Sequence, residues 1–220
     1  MDTVAIRQAI TAAKQHEHHS GTLARQFVSL SRNIHRSIHL PADNAVAVLL
    51  NFTIRYIEHV PEFVEAVEDI ADQCGLSNYT DPVINLALEY FSSPPELLDC
   101  QQGLLALMSE AYLAHRLMEE VNDRFMLSCG KALIPMDMTR SNLLVHHLIG
   151  EPFANQLDFT VKMQVDSLEL NEDVFSCASL SAFSDSPHSR QLVDVSRWPC
   201  LADSLAINLA LSGHQVGQVH

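Results

Sequence analysis

Tyr112, His115, Glu119 and Asn122 recur at spacings of three and four, so on a helix they stack into one polar ridge. The ridge runs beside an apolar stripe of the same stretch, Leu104, Met108, Ala111, Met118 and Phe125. A histidine and a carboxylate along a buried seam are what a metal or proton-transfer site needs. They are equally what an interhelical hydrogen bond needs, and polar pairs four apart are routine on helices.

Two further pairs have helical spacing, His59 with Glu62 and His147 with Glu151. Pro61 spoils the first geometry, and Gly150 and Pro152 bracket the second, so only His115–Glu119 falls in uninterrupted helical sequence. The chain contains no Glu-x-x-His tetrapeptide, which a diiron carboxylate bundle requires twice. Of the adjacent His146 and His147, at most one can face a given site, and His146 is the inward candidate. A metal centre built in this bundle would therefore draw on His115, Glu119, His146 and Glu58 or Glu62. His35 and His39 could chelate one cation, but they read better as the positive end of a helix before Pro41. His16-Glu17-His18-His19 reads as a tract between helices.

Charge is distributed unevenly. The formal net charge is −14, yet residues 1–40 carry five basic residues against two acidic ones. The rest is strongly acidic, and Glu58, Glu62, Glu65, Glu68, Asp69 and Asp72 form a face opposite Val60, Val64 and Val67. Such a body disfavours nucleic acid and anionic membranes as partners. It favours a basic protein partner, self-association, or docking of the leading arm on its own body, with simple solvation as the plainest reading.

The elements that must position these groups are helices. Periodic segments cover residues 3–15, 22–39, 45–74 with a kink at Pro61 or two helices meeting near His59, 82–90, 102–129, and 142–165 after a cap at Thr139 or Ser141, with a kink or restart at Pro152. Gly75 suits a helix end, and Gly130 to Pro135 reads as a loop. Seven glycines and nine prolines in 220 residues, with 47% hydrophobic residues, favour a packed helical domain over sheets. The expected fold is all-α, an antiparallel bundle of about five to seven helices over residues 1–165. An irregular acidic and Ser-rich linker, 166–198, and a C-terminal helix, 199–213, should complete it.

The chain lacks G-x-S-x-G, P-loop, G-x-G-x-x-G and H-E-x-x-H motifs. The five cysteines are dispersed without a C-x-x-C pair, which suits reduced thiols in a cytoplasmic protein, and the opening residues lack a signal-peptide pattern. No cofactor is expected, a divalent metal being the exception under the His/Glu reading. The leading expectation is a non-catalytic helical protein of regulatory or adaptor type acting through helix faces. The alternative is a metal-dependent oxygenase or hydrolase on His115 and Glu119. A third reading places an apolar ligand among Met108, Tyr112 and Met118.

Overall fold

The computed structural model describes residues 2–41, 43–134, 137–168, 170, 183, 185 and 207–209. Within them the chain is an all-α bundle: α1 (Thr3–Ser20), α2 (Thr22–Arg32), α3 (Ala45–Cys74), α4 (Ser77–Ser92), α5 (Gly103–Cys129), α6 (Thr139–Ile149) and α7 (Glu151–Ser167). A 3-10 turn at Glu96–Leu98 leads into α5, and β1 (Ile38–His39) pairs antiparallel with β2 (Asn208–Leu209). No described helix is long and apolar enough to cross a membrane.

α5 is the hub, packing against α1, α3, α4, α6 and α7. A helix wrapped on all sides must be apolar nearly all round, and α5 buries Leu104, Met108, Ala111, Met118 and Phe125 as the stripe predicts. It also buries Ser109, Glu110, His115 and Asn122, whose polar atoms then need partners within the fold.

Several boundaries differ from the sequence reading. α1 runs through the histidine tract to Ser20, because Glu17 has a structural task. Its buried carboxylate accepts from Leu23 N at 3.0 Å and Ala24 N at 2.9 Å, capping α2 across the Gly21 turn. α2 stops at Arg32 and not at His39, because Ile38 and His39 are drawn into the ladder with residues 208–209. His35 and His39 thus share no helix face, and neither closes a helix. α3 continues through Pro61, with the flanking Val60 and Val64 buried. α4 starts at Ser77, earlier than residue 82, with Pro82 inside it. At Gly150 the chain breaks, and α7 restarts with Pro152 in its first turn, where a missing N–H costs nothing.

Most of the Ser-rich linker and of the expected C-terminal helix lies outside the described residues. Of that helix residues 207–209 are described, and Asn208–Leu209 is extended. From the linker, Phe183 is buried edge-on against Phe125, ring centres 5.2 Å apart.

Candidate functional site

The four ridge residues of α5 each reach a different neighbour. Tyr112 donates its hydroxyl to Asp158 Oδ1 of α7 at 2.9 Å. His115 Nε2 lies 2.9 Å from the Tyr56 carbonyl oxygen of α3. Glu119 accepts from Asn142 Nδ2 at 2.8 Å and Thr139 Oγ1 at 3.2 Å, both on α6. Asn122 holds the loop after α5, accepting from Leu133 N at 2.7 Å and donating to Ile134 O at 3.0 Å. His115 and Glu119 therefore turn to different helices, although their spacing would let them meet.

Arg116, which the ridge pattern skips, joins the tethers. Its guanidinium bonds Glu119, Asp158 (2.9 Å from Nε) and the more distant Glu120 (3.4 Å). Burial works against its charge, but Glu119 and Asp158 outweigh that and hold the proton more tightly than in water. Burial, then Asp158, pushes the Tyr112 phenol well above its ordinary range, so it stays a neutral donor. Asn142 closes the circuit by accepting from Tyr56 Oη at 2.7 Å.

Tyr112, Arg116, Glu119, Thr139, Asn142, Leu143, His146 and Asp158 line one cleft of about 250 Å³ between α5, α6 and α7. His146 Nε2 bonds Asn155 Oδ1 at 3.1 Å and lies 3.8 Å from Asp158 Oδ2. Three carboxylates thus meet one guanidinium, and Leu143 adds an exposed apolar rim. The cleft therefore carries an anionic bias.

The five residues proposed for a metal centre are not brought together. His115 is sealed between α3 and α5, Glu119 and His146 sit on separate walls of the cleft, and Glu58 and Glu62 lie on the α1–α3 surface. Among the described residues no group of three His, Cys, Asp or Glu side chains is placed to hold a metal ion. His147 instead meets the loop after α2, where its Nε2 lies 3.3 Å from His35 N. Met108 and Met118 are core residues, Met108 with its sulfur 3.7 Å from Thr53 Oγ1.

The acidic face of α3 is half covered by the leading arm. Arg7 of α1 pairs with Glu65 at 2.8 Å, and Lys14 pairs with Glu58 at 2.7 Å, which Arg55 also reaches at 3.3 Å. The Arg7 bond holds Glu65 below the usual carboxylate range. Glu68, Asp69 and Asp72, further along, stay exposed. Partial burial, then repulsion from Glu65, Asp72, Asp69 and Asp81, raises Glu68.

Tyr56, Asn142 and Asp158 could not have been picked from sequence, since each meets α5 from 23 to 59 residues away. Arg116 had a local signal, Glu119 and Glu120 at three and four residues. Cys74 is buried, Cys129 half-buried and Cys100 exposed, while Cys177 and Cys200 lie outside the described residues. Compared with known proteins, the chain matches no family model, and no curated protein or solved structure shows significant similarity to it.

Proposed function

We propose that this protein is a non-catalytic cytoplasmic helical module of regulatory or adaptor type, and that it binds a basic segment of a protein partner in the cleft between α5, α6 and α7. The observation that carries this reading is the excess of Glu119, Glu120 and Asp158 over the single Arg116, beside the exposed Leu143. A lysine or arginine entering there would find Asp158 Oδ2, for which Tyr112 and Arg116 do not compete since both bond Oδ1. Its aliphatic stem would lie over Leu143. The polar groups are bonded to one another in advance, which suits selective recognition at little ordering cost.

A second surface is favoured by a separate observation. Glu68, Asp69 and Asp72 keep their charge facing solvent after α1 has covered Glu58 and Glu65. One titration separates the two. Adding a hexa-arginine peptide to isotopically labelled protein at low salt should shift amide resonances of α5, α6 and α7 around the cleft. Asp158→Asn and Glu119→Gln should each weaken that binding several-fold, as for a charge-assisted contact. Shifts confined to residues 68–72 would transfer the contact to α3, and no saturable shift on either surface would remove the reading.

A further inference from the structure

The α3–α5 interface contains a feature that the cleft reading does not use. His59 of α3 and His115 of α5 stack with ring centres 5.4 Å apart and planes 23° apart. Tyr56 and Phe63 of α3 enclose the His115 ring, with centres 4.2 and 5.2 Å away. His115 has no solvent exposure, and the Nδ1 atoms of both histidines are buried with no hydrogen-bond partner among the described residues.

The bonding settles which proton His115 holds. A carbonyl oxygen only accepts, so Nε2 must carry the hydrogen that goes to Tyr56 O. In the neutral ring Nδ1 is then a bare lone pair facing the core. The bond falls where α3 is weakest, because Pro61 has no N–H and leaves the neighbouring Ile57 carbonyl without its helical donor. A second proton on His115 would put a full charge in this apolar stack with nothing to accept its new N–H.

The surroundings do not relieve that cost. Glu62 favours protonation of His59 and Arg55 opposes it, both from α3, but burial outweighs them. At His115 burial is joined by repulsion from His59, with only the Tyr56 carbonyl in favour. On the α1 side Lys14 is taken up by Glu58, and on the α6 side Glu119 is held by Arg116 and Asn142. Among the described residues, the side-chain charges acting on His59 are those of Glu62 and Arg55, both on α3, and the one acting on His115 is that of His59.

We propose that the stacked His59–His115 pair is an acid-sensitive latch: its protonation opens the α3–α5 contact around Pro61 and, through Tyr56, loosens Asn142 in the wall of the cleft. Tyr56 is the link, since its carbonyl takes the His115 proton donor and its hydroxyl bonds Asn142. The sign follows from linkage. The packed rings hold protons less tightly than free imidazole, whose ordinary value is 6.5. The opened state therefore binds more protons below that pH. Each imidazole then shifts the closed-to-open ratio toward open by up to about tenfold per pH unit of acidification.

Native-state hydrogen exchange on the full chain, expressed as protection factors at pH 7.0 and 5.5, tests this. Amides of residues 56–64 should lose protection roughly tenfold or more, while those of α4 at residues 83–87 hold. The double variant His59→Phe with His115→Gln keeps a flat ring and an N–H donor but cannot be protonated there, so it should abolish the local loss. An equal loss across α3 and α4, no loss at all, or the same local loss in the double variant overturns the proposal. Should that variant not fold, His59→Phe alone must reduce the loss, and failure to do so overturns it too.

Discussion

The ridge of α5 and the acidic face of α3 are both rows of polar side chains at helical spacing, yet they do different work. On α3, Glu58 and Glu65 meet Lys14 and Arg7 at the surface, where the Arg7–Glu65 partners are each 45% exposed. Water and salt screen such pairs, and holding two long side chains in register offsets much of their attraction. On α5 the bonds of His115 to α3 and of Asn122 to the following loop are buried, where an unmade bond is costly. The acidic face therefore steers α1 to its seat, whereas the ridge specifies which helix lies against which side of α5. Burial decides which of the two patterns is structural.

That contrast can be broken in order of effect. Asn122→Ala removes the bonds to the Leu133 and Ile134 amides and to the Ile134 carbonyl, and should lower stability by roughly 2 to 4 kcal/mol in chemical denaturation. A loss under about 0.5 kcal/mol would show that the ridge is no more than surface polarity.

Next comes Glu110, a buried acid of α5 that the ridge pattern does not include. Burial raises it from 4.5 to about 7. The fold thus keeps a proton that the unfolded chain gives up, and stability falls as pH rises from about 4.5 through 7. Glu110→Gln should accordingly stabilise the protein at pH 8 by roughly 1 to 3 kcal/mol, with the gain fading toward pH 4.5. Thermal melts at the two pH values check it, and an equal gain at both would refute the burial argument.

Tyr112→Phe removes one bond to Asp158 and should cost about 0.5 to 1.5 kcal/mol. A larger loss would mean that Asp158 cannot keep Arg116 in place without it. Arg7→Ala is expected to be the mildest, below about 1 kcal/mol and vanishing at high salt. A salt-independent loss there would place the α1–α3 pairs in the same class as the buried tethers and erase the contrast.

Helix periodicity determined the bundle and the burial of the Leu104-to-Phe125 stripe, because those depend on the 3.6-residue repeat, and proline's missing donor marked a kink or restart at Pro152, of which packing chose the restart. Periodicity also exposed the polar ridge, since stacking at three and four residues is a local property. Where each ridge residue turned was beyond it. Tyr56 lies 59 residues from His115, and the Asp158 that receives Arg116 lies 42 residues away. The end of α2 failed for the same reason, with Ile38 and His39 claimed by residues 208–209 across the fold. Local spacing shows which side chains share a face. Only packing decides which groups lose water together, and the need to satisfy those groups selects their partners.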